Sequence, residues 1–252
     1  MTHRDEGRTS AGSAPVKLVK ETVILLVSAV LIALVVKTFL IQSFYIPSES
    51  MEPGLEVEDR ILVQKPSYWF GGPERGDVVV FSDPGGWLSG AVVEPQSVLT
   101  RTLARIGLYP TGGHLVKRVV GVEGDVIRCC DDDGRLEVNG EPVDETAYTA
   151  PGLECAGPMV GRCNRDWQAG PVPAGSLFVI GDNRDSSSDS SVHVCSGTER
   201  CDPDEPAKDD GTHGYVPVDD VVGKVFVLAW PPGRAHFISR PEAFASVPEP
   251  QP

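Results

Sequence analysis

Apolar and polar positions divide the chain into two regimes. Between residues 22 and 36 every residue is apolar except Thr22 and Ser28; Lys37 interrupts the run, and Phe39, Leu40 and Ile41 resume it. Residues 22–41 would extend about 30 Å as a helix, enough to cross a bilayer's hydrocarbon core. Beyond that run the pattern changes to short stretches rich in Val, Ile and Phe, bounded by Gly, Pro or Asp. They lie at 60–65, 77–81, 115–122, 176–180 and 221–230, and they predict β-strands. Within an insertion at 84–113, Val98, Leu99, Leu103 and Ile106 stand at helical spacing. They predict a short amphipathic helix packed on the domain, with contact to the membrane as the alternative.

The apolar run reads as a retained anchor. Gln42, Ser43, Phe44 and Tyr45 follow it, which makes a poor cleavage site because it lacks the small residues such a site needs. Arg4, Arg8, Lys17 and Lys20 precede it, so the positive-inside rule puts the N-terminus in the cytoplasm and the remaining chain outside. The expected organisation is a cytoplasmic tail at 1–21, an anchor at 22–41, an extracytoplasmic domain at 42–240 and a loose tail at 241–252. Residues 126–173 read as a turn-rich β subdomain, and 191–213 as an acidic loop.

Composition narrows the function. Net charge is −14, and residues 42–252 carry 17 basic against 33 acidic residues. Such a surface argues against a nucleic-acid partner, which needs basic groups to meet phosphates. The six cysteines, 129, 130, 155, 163, 195 and 201, all follow the anchor, and none forms a CxxC pair. That argues for structural disulfides outside the cytoplasm rather than a zinc or thioredoxin-like site. Cys195 and Cys201 can close a local loop. Cys129 and Cys130 are poorly placed to pair with each other, so one of them is expected to meet Cys155 or Cys163.

Candidate chemistry begins just past the anchor. Pro47-Ser48-Glu49-Ser50-Met51-Glu52-Pro53 holds two serines in a proline-bounded run. Ser50 lies nine residues past Ile41, so it sits at most about 30 Å from the end of the anchor. A serine nucleophile needs a base. The five histidines, 3, 114, 193, 213 and 236, belong to no recognisable motif. A lysine can serve if burial lowers its pKa. Lys117 sits in Leu115-Val116-Lys117-Arg118-Val119-Val120, where alternation puts it on one strand face with Leu115 and Val119 and puts Arg118 on the other. One of the two basic residues is thus expected to turn toward an apolar interior. A Gly-Asp turn loaded with short polar side chains, Gly181-Asp182-Asn183-Arg184-Asp185-Ser186-Ser187-Ser188-Asp189-Ser190, can hydrogen-bond a buried amine or brace a loop.

Together these stretches resemble the type I signal peptidase family, in its actinobacterial branch. The resemblance is carried, in order, by residues 48–53, by Asp59-Arg60-Ile61-Leu62-Val63 with Lys65, by Arg75-Gly76-Asp77-Val78-Val79, by Lys117-Arg118-Val119-Val120-Gly121 with Gly124-Asp125, and by residues 181–190. It implies a mainly β fold: one N-terminal transmembrane helix, then an ectodomain of coiled antiparallel sheets with an inserted β subdomain. It implies Ser50 as nucleophile and Lys117 as general base. The Ser48 hydroxyl and the Ser50 N–H would form the oxyanion hole, Ser187 would orient the lysine, and Asp182, Arg184 and Asp189 would brace the site. Met51 would pack beside the nucleophile.

By the same resemblance the activity is removal of signal peptides from exported preproteins, cut after small residues in an A-x-A pattern, without metal or organic cofactor. The implied partners are secretory preproteins, the lipid bilayer and, as a candidate, the protein export channel, at the plasma membrane. Two positions depart from the family. Ser191 stands where an arginine is usual, and Glu49 replaces a small residue between the serines. Two other readings use the same residues: a self-cleaving Ser–Lys protease, and a non-catalytic membrane-anchored binding domain.

Overall fold

Ala14–Val35 forms the helix α1, which continues through a π-helical turn at Val36–Leu40. Its apolar side chains are exposed nearly all round, and a helix of that kind needs an apolar surrounding. The segment Lys17–Leu40 is long and apolar enough to cross a membrane. The helix starts earlier than the apolar run, at Ala14. It stops at Leu40 because Ile41 turns extended and pairs with Gln64. The computed structural model of the chain describes residues 14–88, 113–149, 167–194 and 214–250.

The remaining elements are mostly strands. The larger sheet contains β1 (Ile41–Tyr45), β2 (Arg60–Gln64), β3 (Val78–Ser82) and β4 (His114–Gly121). The smaller sheet is built from β5 (Ile127–Cys129), β6 (Leu136–Val138), β7 (Glu141–Pro142) and β8 (Trp167–Ala169). The chain then returns to the larger sheet with β9 (Ser176–Ile180), β10 (Val216–Pro217), β11 (Val221–Trp230) and β12 (His236–Phe237). The larger sheet runs in the order β1-β2-β11-β3-β4-β9-β10, with β12 pairing β11, and the smaller in the order β7-β6-β5-β8. Every pairing among the described residues is antiparallel. This is the mainly β architecture with an inserted β subdomain that the sequence implies.

The central strands are covered on both faces. Val78 to Phe81 are all buried, which is why β3 reads as a continuous apolar run rather than an alternating one. Val80 packs with Ile46, Met51, Ile61, Val63, Val225 and Leu228. Val79 and Phe81 pack on the other side with Trp87, Val119, Leu177 and Val179. A third cluster, including Ile127, Leu136, Phe178 and Tyr215, seats the smaller sheet against β4 and β9.

Two expectations change. Residues 241–248 are not loose: Phe244 and Val247 are buried in that third cluster, and the Pro248 carbonyl accepts from Arg75 and Asn139. Two apolar side chains outweigh the proline-rich composition that suggested a tail. Cys129 and Cys130 do pair with each other, across a cis peptide that brings their Cα atoms to 3.0 Å. Trans neighbours stand farther apart with diverging side chains, the arrangement under which such a pair is poorly placed. The expected helix at 97–108, the other four cysteines and most of the acidic loop lie outside the described residues.

Candidate active site

Three segments converge on one point: a turn after β1, the middle of β4, and the turn after β9. The first is a 3₁₀ turn, Glu49–Met51. Met51 is buried under it and acts as its apolar peg. Asn183 secures the turn from the other side, its backbone N–H donating to the Ser50 carbonyl at 3.1 Å and its side-chain amide to the Glu49 carbonyl at 3.1 Å. Ser50 is buried, whereas Ser48 and Glu49 face solvent. The Ser48 and Ser50 hydroxyl oxygens lie 3.4 Å apart. As the second residue of its turn, Ser50 has a backbone N–H with no partner inside the turn.

Lys117 reaches this serine from β4. Its Nζ donates to Ser50 Oγ at 2.6 Å across 67 residues of sequence. Lys117 is 3 % exposed. Burial pushes its pKa down from 10.5 to about 8, against the opposing pull of Asp189 and then Asp182. Glu49 faces solvent beside this pair.

Sequence alternation predicts one buried basic residue on β4, and there are two. Arg118 is as enclosed as Lys117 because both faces of the strand are covered. It forms a two-point ion pair with Asp182, Nε to Oδ1 at 2.7 Å and Nη2 to Oδ2 at 2.6 Å, and donates to the Gly76 carbonyl at 2.9 Å. Its guanidinium also lies 4.2 Å from the Tyr148 ring centroid. This is the planar fork geometry that suits arginine over lysine.

The turn after β9 is held from inside. Asp189 accepts from Gly181 N at 3.0 Å and from the Ser187 hydroxyl on Oδ2, and from Ser191 N at 3.1 Å and the Ser191 hydroxyl at 2.6 Å on Oδ1. Four neutral donors thus satisfy a buried carboxylate. Ser191, the departure from the family pattern, is one of the residues that hold it. Ser187 is buried in this turn with its hydroxyl committed to Asp189. Arg184 lies one layer out, donating to the Gly181 carbonyl at 3.0 Å and pairing through both amino groups with Glu145. Glu145 also accepts from the Tyr148 hydroxyl at 2.7 Å. Glu145 and Tyr148, in the smaller sheet's connection, are site supports that the sequence did not point to, since no motif surrounds them. Gly181 matters for space: a Cβ there would collide with Ser187 Oγ and the Ser50 carbonyl.

Comparison with known proteins gives this geometry a context. Residues 19–230 match the family described as signal peptidase, peptidase S26. A signal peptidase I of Mycobacterium tuberculosis is 39% identical over 231 residues, covering 85% of this chain and 74% of its own. The chain belongs to the signal peptidase family, S26. Another relative, the signal peptidase I of Leptolyngbya laminosa, is 32% identical over 218 residues, covering 86% of this chain and 82% of its own. A crystal structure of a signal peptidase I from Enterococcus faecalis aligns over 60% of this chain and 95% of its own, with 20% identity and a TM-score of 0.29.

A hydroxyl stands within hydrogen-bond reach of a lysine that is neutral at mildly alkaline pH, the arrangement general-base activation requires. Among the described residues no group of three His, Cys, Asp or Glu side chains could hold a metal ion.

Proposed function

We propose that this enzyme removes signal peptides from exported preproteins by a Ser50–Lys117 dyad. The observation that carries the reading is the buried amine 2.6 Å from a buried hydroxyl. Neutral Lys117 takes the Ser50 proton as Oγ attacks the carbonyl carbon of the scissile bond. The tetrahedral oxyanion would accept hydrogen bonds from the Ser50 N–H and the Ser48 hydroxyl. When the C–N bond breaks, Lys117 returns the proton to the departing amine of the mature protein. Water then gives a proton to Lys117 and attacks the Ser50 ester. The signal peptide leaves as a carboxylic acid, and Ser50 recovers its proton.

In this reading Ser187, Asp182, Arg184 and Asp189 are positioning residues. Asp189 and Ser187 shape the turn behind the amine, and Arg118–Asp182 fixes the strand that presents it. Small residues at the first and third positions before the cut, in the A-x-A pattern, are the expected substrate feature. The helix at 17–40 anchors the enzyme in the plasma membrane with its N-terminus cytoplasmic. Preproteins then reach Ser50 from the outer surface of the bilayer, with the export channel as a candidate partner.

The test is to cleave a secretory preprotein with purified full-length protein in detergent and to read the new N-terminus by mass spectrometry. Cleavage directly after the A-x-A, abolished by phenylalanine at either alanine, supports the proposal. Cleavage that ignores those substitutions, or no cleavage of several preproteins by folded protein, overturns it.

A further inference from the structure

Residues 240–250 lie beyond the residues 19–230 that match the family, yet they are fastened to the domain along their length. Arg240 opens the segment, its Nε donating to the buried Asp77 carboxylate at 2.5 Å. Phe244 ends a 3₁₀ turn, Glu242–Phe244, and is buried. Val247 enters the same cluster, and the Pro248 carbonyl accepts from the Asn139 amide at 2.9 Å. Pro250 then packs so closely on Gly124 that a Cβ there would have no room. The segment is a strap, and what lies beneath it is the support of the catalytic lysine.

Arg118, next to Lys117 on β4, is held by the Asp182 carboxylate, the Gly76 carbonyl and the Tyr148 ring. Phe244 backs the last two of these. Its ring stacks with Tyr148, 6.3 Å between centroids and 20° between planes. It also packs on Gly76, where a Cβ would meet the edge of the Phe244 ring at 3.1 Å. Asp182 serves both basic residues: its two oxygens take the Arg118 fork, and its charge raises the pKa of Lys117. Asp189, on the same turn, raises it as well. Across from Lys117, β3 presents the apolar Val79, and Glu49 on the serine's turn faces solvent. A guanidinium that slips from Asp182 leaves that carboxylate less neutralised beside the amine.

We propose that residues 240–250 are a positioning strap for the catalytic base: Phe244, through Tyr148 and Gly76, keeps Arg118 on Asp182 and so fixes the surroundings of Lys117. The inference rests on the Ser50–Lys117 reading and extends the working site past the segment that matches the family. Loss of the Phe244 ring leaves a cavity behind Tyr148. Arg118 can then shift, and water can reach the groups around it. Both changes favour the charged amine. Lys117 should titrate at higher pH, and less of it is neutral at any pH below that point.

The test follows the titration of Lys117 by NMR in the full-length protein in detergent, with carbon-13 at lysine Cε and the Lys117 signal assigned as the one missing from Lys117→Met. Phe244→Ala should raise the midpoint by about half a pH unit or more above that of wild type. Because the neutral fraction falls roughly threefold per half unit below the midpoint, kcat for peptide cleavage near neutral pH should fall about threefold or more, with KM little changed. Val247→Ala removes a buried side chain from the same strap and controls for lost stability; it should leave the midpoint at the wild-type value. Phe244→Val keeps part of the side chain, should shift the midpoint upward by less, and decides the matter if the alanine variant does not fold. A midpoint unmoved or lowered in the Phe244 variants overturns the proposal, and so does an equal shift in Val247→Ala. If wild type cleaves no preprotein, the peptidase reading has failed, and the NMR midpoints still decide whether the strap sets the state of Lys117.

Discussion

Lys117 and Ser50 meet at 2.6 Å although 67 residues separate them. Each is fixed by a different part of the fold. Lys117 sits mid-strand between β3 and β9, and Ser50 is held in a turn pegged by Met51 and tied to Asn183. Neither side chain needs to move for the proton to pass, so the protonation state of the amine should control the rate.

Activity should therefore follow the titration of Lys117. Its pKa is about 8, so kcat/KM for peptide cleavage should rise through pH 8 and level off above it. Well below pH 8 the neutral fraction falls tenfold per pH unit. A rate that stays flat from pH 9 down to pH 6 would remove lysine from the base's role.

Burying that amine has a cost in stability. Lys117 is brought from 10.5 down to about 8 by the fold. Between those two values the unfolded chain holds a proton that the native protein does not. Wild-type stability should thus rise with pH across that window, and the cost is fully present below pH 8. Lys117→Met removes it, an order-of-magnitude gain of about 3 kcal/mol at pH 7. Thermal melts in detergent should put the variant several degrees above wild type at pH 7, the gap narrowing toward pH 10. A gap independent of pH would mean the amine is not what limits stability.

Asp189 is the largest charge raising the lysine's pKa. Asp189→Asn should move the acid limb of the pH profile to lower pH. The turn will loosen too, because one amide oxygen cannot accept from all the donors that Asp189 serves. The limb's midpoint, not the maximal rate, is therefore the readout. A midpoint shifted to higher pH, or unmoved, would contradict the electrostatic coupling.

Gly181→Ala tests the packing behind the site. The added methyl group collides with Ser187 Oγ and the Ser50 carbonyl, and displacing the serine by about 1 Å can cost on the order of a hundredfold in rate. The expected result is a kcat loss of that size with substrate KM little changed. A variant as active as wild type would show that this turn does not set the position of Ser50.

Much of this arrangement was legible in the sequence. The strands at 176–180 and 221–230 coincide with β9 and β11, since their apolar runs end at clear Gly, Asp and Pro boundaries. Ser48, Ser50, Lys117, Asp182, Ser187 and Asp189 stand out because they lie in short, dense motifs. What stayed hidden depends on contacts between distant segments. Alternation on β4 allowed one buried cation, but strand cover on both faces buries Arg118 as well. Glu145 and Tyr148 support the site from the smaller sheet, with only tertiary packing to reveal them. Phe244 and Val247 looked like a proline-rich tail until a cluster existed for them to enter.

The Ser50–Lys117 dyad is put to the test by cleavage of one preprotein by wild type, Ser50→Ala and Lys117→Met under identical conditions, with folding checked by thermal melts. Folded variants that have each lost activity by roughly a thousandfold or more are expected from the dyad, since nucleophile and base act as one unit. Cleavage by Lys117→Met at the wild-type rate would contradict it.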